Sequence, residues 1–293
     1  MLDRSSIMAS MNRLSNKDRA RVVSCLVEGC SIRATVRMTG VAKNTIIKLL
    51  VDLGAACGDF QDEHLRGLPC KRIQADEIWS FCYAKEKNLP DHMRDKPGVG
   101  SIWTWVAICA DTKLAVAWML GDRDACCAQI FMHDVASRLA NRVQLTTDGL
   151  HAYLSAVENA FGSQIDFAML VKVYGTDAKL DPEARYSPPE CIGCKRKGII
   201  GRPIRQHVST SFIERQNLTM RMQMRRFTRL TNAFSKKAEN LRAAVNLHFM
   251  HYNYCRVHQS IKTTPAIAAG IARNAWSIED LVSILHDRER SRK

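Results

Sequence analysis

The sequence predicts a mixed α/β fold in which an all-α segment precedes a sheet-containing domain. Apolar residues recur at helical spacing from Leu14 to about Leu53, and β-rich runs begin at Lys71. Beyond the third of these runs, helical and β patterns alternate, which is typical of a sheet covered by helices. A chain of 293 residues has room for one large domain and a smaller one.

The N-terminal part is predicted to hold three helices. Ser15 and Ser31 are good N-caps, and Thr39-Gly40 interrupts the helical pattern. The expected helices span about 14–29, 32–38 and 42–53. A short helix, a turn with glycine and a third helix form a helix-turn-helix arrangement. We therefore expect a flexible tail at 1–13, a helix-turn-helix domain at 14–58 and a polar linker at 59–70.

The third helix would be the recognition helix, since its N-terminal residues lie nearest to base edges in such proteins. Its outward face carries four polar or basic residues: Lys43, Asn44, Thr45 and Lys48. The alternative interpretation is a small three-helix packing unit with a solvated basic face. The basic character of the whole chain favours DNA binding.

The next part of the sequence predicts the sheet. Three β-rich runs at 73–83, 101–110 and 114–120 are expected to form an antiparallel meander, because tight links suit antiparallel neighbours. Then follow a helix at 126–139, a strand at 143–148, a helix at 152–161 and a strand at 167–174. This order of elements is that of an RNase H-like fold, which we expect over residues 71–272.

The last third is predicted to hold a loop and further helices. Residues 176–206 show neither period and are rich in basic residues, among them Lys195, Arg196 and Lys197. A loop of that length inside a domain is usually functional. Helices are expected at about 212–230 and 233–252, and a C-terminal helix with a charged tail at 273–293.

The charge of the chain points to a polyanionic partner. Lys and Arg number 43 against 29 Asp and Glu, and the formal net charge is +14. An excess of this size is typical of binding to nucleic acid or to an anionic membrane surface. No apolar run approaches the ~20 residues of a membrane helix, and the N-terminus lacks a signal-peptide pattern, so we expect a cytosolic protein.

The eleven cysteines are expected to be reduced, because their number is odd and most have apolar neighbours. Cys191 and Cys194 have the spacing of a zinc knuckle. A structural zinc site needs two further ligands, and no second pair with this spacing follows. Zinc is therefore not expected.

Three acidic residues form the candidate catalytic site. Asp76 lies in a predicted strand, Asp148 ends another, and Glu214 lies in the first turn of a helix. Carboxylates that converge in this way can hold two divalent ions for phosphoryl transfer. Taken singly, each acid would more often be a turn or cap residue. Glu77 neighbours Asp76, but adjacent strand residues point to opposite faces, so we expect only Asp76 in the site.

The helix of Glu214 supports an interface with a phosphate backbone. At helical spacing Glu214, Arg221 and Arg225 share one stripe, and Arg215 lies on another. Arg221 and Arg225 lie in line with this acid, beside the apolar face of the helix. Such an arrangement is well suited to bind the phosphate backbone of a nucleic acid as it passes the metal ions. The alternative is a charged surface stripe without a ligand.

The sequence resembles the DDE transposases of bacterial insertion sequences, most closely the insertion-sequence-one-like group. The residues that carry the resemblance lie in four places: Ala75-Asp76-Glu77-Ile78-Trp79, Thr147-Asp148-Gly149, Ser211 to Leu218, and Tyr252 to His258 with Thr264-Pro265-Ala266. The likeness covers about residues 14–272. Each motif alone is unspecific, whereas their combination is specific.

The resemblance implies Mg²⁺-dependent cleavage and strand transfer at the inverted-repeat ends of an element, with Mn²⁺ as an alternative ion. Asp76, Asp148 and Glu214 would be the catalytic metal ligands. Arg221, seven positions after the glutamate, would contact DNA phosphate, and His207 is an auxiliary candidate. The partners implied are end DNA and target DNA, and a homodimer or higher oligomer. The implied location is the bacterial cytoplasm, at the nucleoid.

Two other hypotheses fit the same residues. An RNase H-like structure-specific nuclease would use the same acids without joining its products. A transposase-derived repressor would bind DNA without catalysis. Short inverted repeats in the DNA that flanks the gene would favour the transposase over the nuclease.

Overall fold

The computed structural model describes residues 14–94, 96–174, 191–228 and 231–291. Its centre is a six-stranded mixed sheet with the order β3-β2-β1-β4-β5-β6. The strands are β1 Arg72–Cys82, β2 Gly100–Cys109, β3 Ala115–Gly121, β4 Val143–Thr147, β5 Ile165–Tyr174 and β6 Cys191–Ile200. Strands β1, β2 and β3 form the expected antiparallel meander, and β4 and β5 run parallel to β1. This arrangement is consistent with an RNase H-like fold.

Helices cover both faces of the sheet and bury two large apolar cores. Their bounds are α1 Asn16–Val27, α2 Ile32–Thr39, α3 Lys43–His64, α4 Ala125–Arg138, α5 Ala152–Phe161, α6 Ser211–Gln223, α7 Ala238–Met250, α8 Pro265–Ala268 and α9 Ile278–Ser291. The first core joins α1, α3, α6, α7 and α9 to one face of the sheet. The second core joins α4 and α5 to the other face. Short side chains such as Ala75 and Ala107 let the helices of the second core lie close to the strands.

The N-terminal helices begin where their caps predict. The hydroxyls of Ser15 and Ser31 accept hydrogen bonds from backbone N–H groups three residues later, at 3.1 Å each. Gly40 ends α2 in the left-handed conformation, with φ of 73°. The three helices therefore occur in the predicted order. Their use as a DNA-binding domain over 14–58 stays a prediction.

The predicted linker at 59–70 is wrong for its first half, since α3 continues to His64. The reason is the role of two glycines inside the helix. A Cβ on Gly54 would lie 2.3 Å from the carbonyl oxygen of Ala243, and one on Gly58 would lie 2.4 Å from the Asn246 side chain. Both glycines thus permit the close approach of α3 to α7, although glycine in a sequence more often indicates a helix end.

The predicted basic loop at 176–206 is also corrected in part. Residues 176–190 lie outside the described residues, whereas Cys191–Ile200 form β6, an edge strand antiparallel to β5. Nearly all of its side chains are exposed. An edge strand held by backbone hydrogen bonds, with polar side chains on both faces, lacks the apolar alternation by which strands are predicted.

The C-terminal helices differ from the prediction in length. α6 ends at Gln223 rather than near Leu230, and a short 3₁₀ turn at Arg225–Phe227 follows it. α7 begins at Ala238 rather than 233 and continues as a π-helical turn at His251–Cys255. α9 covers most of the predicted C-terminal segment. None of the helices among the described residues has the length and apolar character needed to cross a bilayer.

The buried imidazole of His248 makes stability depend on pH. This ring is 4% exposed on α7, and burial lowers its pKa to about 3. The unfolded chain takes up a proton near pH 6.5, whereas the folded chain does not do so until the pH is much lower. The contribution of the neutral His248 ring to the free energy of unfolding is therefore complete above pH 6.5 and is lost as the pH falls towards 3.

In the parent protein, the free energy of unfolding should fall as the pH decreases from 6.5 to 4. We expect this fall to be smaller in His248→Gln, by about 1 kcal/mol per pH unit. Urea titrations at fixed pH values measure this slope. His133→Gln, which removes an exposed imidazole from α4, is the control. An identical pH slope in His248→Gln and the parent protein would show that His248 does not stay neutral in the folded state.

Candidate active site at the ends of two parallel strands

The register of β1 and β4 brings Asp76 and Asp148 together. Ala75 pairs with Thr147 in parallel register. Asp76 is the next residue of β1, and Asp148 directly follows the end of β4. Even-numbered side chains of β1 point to one face, where α6 covers Gln74 and Asp76. The two aspartates predicted from distant parts of the sequence are therefore neighbours in the structure.

Glu77 joins them, contrary to the expectation that only Asp76 would. One carboxylate oxygen from each of Asp76, Glu77 and Asp148 lies within 4.8 Å of the others. Glu77 points to the opposite face of β1, but β4 no longer runs beside it to separate the two faces. Tyr153 and Arg123 hold its carboxylate there through hydrogen bonds. We call Asp76, Glu77 and Asp148 the acidic cluster.

Fixed hydrogen bonds orient each carboxylate of the cluster. Asp76 accepts the backbone N–H of Glu77 at 2.8 Å and the side-chain amide of Asn217 at 2.9 Å. Asp148 accepts the backbone N–H of Leu150 at 2.9 Å. The guanidinium of Arg123 lies 2.9 Å from Glu77 and 3.5 Å from Asp148. The carboxylates are thus held in position by protein groups.

Helix α6 is tied to β1 by the side chain of Gln74. Its buried amide oxygen accepts the backbone N–H groups of Phe212 at 2.9 Å and Ile213 at 3.1 Å, which are free donors at the start of α6. Two residues further along β1, Asp76 accepts from Asn217 of the same helix. The start of α6 is therefore aligned with the strand that carries Asp76.

Glu214 faces the same cavity but stands apart from the acidic cluster. Its carboxylate lies 2.6 Å from Lys172 of β5 and also accepts the Thr210 hydroxyl. It is close enough to raise the pKa of Asp76 through its charge, yet it is not among the three acids with oxygens within 4.8 Å of one another. Its role as a metal ligand stays a prediction.

The acids of the cluster disfavour each other's ionisation. Burial, followed by the charges of Glu77, Asp148 and Glu214, raises the pKa of Asp76 to about 7. Burial also raises the pKa of Glu77, although its bonds to Tyr153 and Arg123 oppose the shift. Like charges at this separation repel, and a bound cation would relieve the repulsion.

The acidic cluster borders a cavity of about 590 Å³ whose walls carry both acids and cations. Asp76, Asp148 and Glu214 line it together, with Arg123 and Lys172 among the neighbouring residues. The guanidinium of Arg123 also lies over the Trp103 ring, 5.0 Å from its centroid. Acids and cations that line one cavity suit a ligand that is anionic and binds with a divalent ion.

Sequence reasoning missed five of the residues that build this site: Gln74, Arg123, Tyr153, Lys172 and Asn217. Gln74 bonds to the start of α6, 138 residues away, and each of the other four contacts an acid, at separations of up to 141 residues for Asn217. The one available signal was the position of Asn217, three residues after Glu214 on the stripe that faces the sheet.

The predicted DNA-contacting residues lie on three surfaces. Lys43, Asn44, Thr45 and Lys48 are exposed in the first two turns of α3. Lys195, Arg196 and Lys197 are exposed on β6 and not in a loop. Arg215 is exposed on α6, Arg221 is half-buried in its last turn, and Arg225 lies beyond its end.

Two further candidates lie apart from the acids. His207 lines a different cavity, at the other ends of β1 and β4, together with Lys71, Arg142 and Arg202. The Sγ atoms of Cys191 and Cys194 lie 3.9 Å apart at the exposed start of β6. Among the described residues, the acidic cluster is the only group of three or more potential metal ligands.

Comparisons with known proteins give little further information. The sequence matches no known protein family, and it matches no curated protein. Its structure is similar to that of a piggyBac transposase in a synaptic complex with hairpin DNA, with 11% identity and a TM-score of 0.41. The similarity covers 97% of this chain and 77% of that chain. At these values the likeness does not bear on function, which depends on the site itself.

The hydrogen bonds of the Gln74 side chain allow a local test of how α6 is held. We expect Gln74→Ala to lower the unfolding free energy by about 1–2 kcal/mol, because two helix-start N–H groups lose their acceptor. Amide hydrogen exchange across residues 211–217 should become faster.

Gln144→Ala is the matched control. Gln144 is also buried, and its amide bonds both backbone groups of Ile204, at 2.9 and 3.1 Å. Its loss should cost similar stability but leave hydrogen exchange in 211–217 as in the parent protein. Unchanged exchange there in Gln74→Ala would mean that the glutamine does not anchor α6.

Proposed function

We propose that the protein is a DNA transposase of the DDE type that cleaves and transfers DNA strands at the ends of a mobile element. The observation that carries the proposal is the acidic cluster at the ends of β1 and β4, because two of its carboxylates, Asp76 and Asp148, line one cavity with Glu214 and with cationic groups. Phosphoryl transfer on nucleic acid needs divalent ions held by oxygen ligands and cations that face the phosphates.

The donor set of the cluster fits a hard divalent ion. All three groups are carboxylates, and the ligands that Mg²⁺ and Mn²⁺ prefer are oxygens. The raised pKa of Asp76 reflects an excess of buried negative charge that such an ion would balance. We propose that Asp76, Glu77 and Asp148 hold Mg²⁺ or Mn²⁺, which supplies Lewis-acid activation of the phosphate oxygens when bound.

The protein groups around the cluster have distinct roles in this proposal. Asn217 and the backbone N–H of Glu77 fix the two oxygens of Asp76. Arg123 and Lys172, each now paired with an acid, line the cavity where a phosphate would enter. Glu214 is the third acid of the catalytic set predicted from the sequence, after Asp76 and Asp148, and would turn towards the acidic cluster when Lys172 engages the phosphate.

The chain as a whole has the charge that the proposal requires. At a net charge of +14 it attracts polyanions. The exposed residues of α3, with Lys43 and Lys48, would contact the element ends, and those of β6 would contact the strand near the cavity. The finer assignment, to the insertion-sequence-one-like group, rests on the sequence motifs around Asp76, Asp148 and Glu214.

Loss of one carboxylate should separate catalysis from binding. We expect Asp76→Asn and Asp148→Asn to abolish cleavage and strand transfer of end DNA in Mg²⁺, while the affinity measured by gel shift stays within about threefold. Glu158→Gln, at an exposed position of α5, removes the same charge outside the cavity and should remain active.

The assay uses DNA from both flanks of the gene and follows cut and joined products separately. Cleavage without joined products by the parent protein would favour a nuclease. Full strand transfer by Asp76→Asn would refute the proposed chemistry.

DNA binding should depend steeply on salt. If roughly six to ten phosphates are contacted, affinity should fall about 10³–10⁵-fold between ~50 and ~200 mM salt. Lys43→Gln/Lys48→Gln should weaken binding to the end sequence in particular, because α3 would read base edges. Lys87→Gln/Lys262→Gln, at exposed positions elsewhere, is the control. Equal end-sequence preference in both double variants would exclude α3 as the recognition helix.

A further inference from the structure

A second cavity lies at the opposite ends of the strands that carry the acidic cluster. It has a volume of about 520 Å³ and is lined by the starts of β1 and β4 and by the segment that follows β6. Arg72 and Gln144 pair across β1 and β4, four residues before Asp76 and Asp148. At the rise of a strand this is a distance of ~13 Å. The two cavities therefore lie at the two ends of the same strand pair.

The charge of this cavity is strongly basic. Five cationic or titratable basic residues line it, against two acids: Lys71, Arg72, Arg142, Arg202 and His207 against Asp111 and Asp166. Arg72 is paired with Asp111, and Arg142 holds both oxygens of Asp166 at 2.7 and 3.0 Å. Both acids are thus engaged by arginines that belong to the cavity wall.

The remaining basic residues are available to a ligand. Lys71, Arg202 and His207 are exposed, and among the described residues none of them forms an ion pair. No acid of the wall is left to neutralise Lys71 and Arg202. The cavity therefore presents unbalanced positive charge to solvent, and its volume of about 520 Å³ leaves room for a phosphate group.

The position of Arg202 in the cavity wall is set by a tight turn at Gly201. Gly201 has φ of +67°, and a Cβ there would lie 2.3 Å from Asp166 and 2.6 Å from Arg142. The next backbone N–H, that of Arg202, donates to the same Asp166 carboxylate at 2.7 Å. Because only glycine fits this position, the turn is locked against the Arg142–Asp166 pair, and the start of the Arg202 side chain has a fixed place.

A basic strand connects the two cavities. Along the pairing of β6 with β5, the pair Lys172–Cys194 lies beside the acidic cavity and the pair Phe167–Ile200 lies just before Arg202. Lys195, Arg196 and Lys197 are exposed between these points. Successive phosphates of a nucleic acid strand would meet positive charge along the whole of this edge.

We propose that the cavity of Lys71, Arg202 and His207 binds a backbone phosphate of the DNA that leaves the acidic cavity along β6. The ligand is a phosphodiester of nucleic acid, contacted without regard to base sequence. The site would hold the DNA in register while the cut takes place at the acidic cluster. This inference rests on the proposed function, because it needs DNA at the acidic cavity.

The test is the salt dependence of DNA binding by Lys71→Gln/Arg202→Gln. The slope of log K against log salt on duplex DNA should fall by about 1–2, because each phosphate contact contributes ~0.9. End DNA and random DNA should lose affinity by similar factors, since phosphate contacts carry no sequence information. Lys71→Arg/Arg202→Lys, which keeps the charges, should restore the parent slope.

Controls separate this inference from the proposed function. Lys262→Gln/Arg273→Gln removes two exposed charges elsewhere and should leave the slope nearly unchanged. Measurements without divalent ions, repeated in Asp76→Asn, exclude cleavage as a cause. Thermal unfolding shows whether the glutamine variant is folded, and if it is not, Arg202→Gln alone replaces it.

The outcomes are distinct. If folded Lys71→Gln/Arg202→Gln shows the same salt dependence of DNA binding as the parent protein, the phosphate site is overturned but the transposase proposal stays intact. Tight binding of inorganic phosphate or pyrophosphate at this cavity, with an unchanged DNA slope, would assign the site to a free anion instead. Absence of DNA binding by the parent protein would overturn both proposals.

Discussion

The site depends on one connection, between the side of β1 that carries Gln74 and Asp76 and the first turns of α6. The amide of Gln74 accepts two N–H groups at the start of the helix, and two residues later Asp76 accepts the amide of Asn217. A helix start buried against a sheet needs acceptors for its free donors, and here a strand side chain supplies them. The helix that carries Glu214 is thereby fixed in register with the strand that carries Asp76.

The acidic cluster is held together against its own repulsion. Burial and neighbouring charges raise the pKa of Asp76 to about 7, and Arg123 and Tyr153 hold Glu77 in place. Buried acids that disfavour each other's ionisation lower stability unless a cation or a proton compensates. Such an arrangement is common at functional sites, where groups are kept in place for a ligand. The paired arginine and lysine that line the cavity are suited to an anionic substrate.

Much of the fold could be predicted from the sequence, because local signals agreed with the final structure. Ser15 and Ser31 begin their helices, β1 to β5 lie within two residues of their predicted bounds, and Asp76 and Asp148 meet in the sheet. Three features could not be predicted. Gly54 and Gly58 serve helix packing rather than a helix end, β6 has no apolar face, and the partners of the acids lie far away in sequence. Each depends on tertiary contacts that local patterns do not encode.

Crystals soaked in Mn²⁺ test most directly whether the acidic cluster is a divalent metal site. An anomalous difference map should show a strong peak in contact with the carboxylates of Asp76 and Asp148, and the peak should be lost in Asp148→Asn. A map at saturating Mn²⁺ with no peak at this cluster, from crystals in which the cavity is open to solvent, would contradict the central claim.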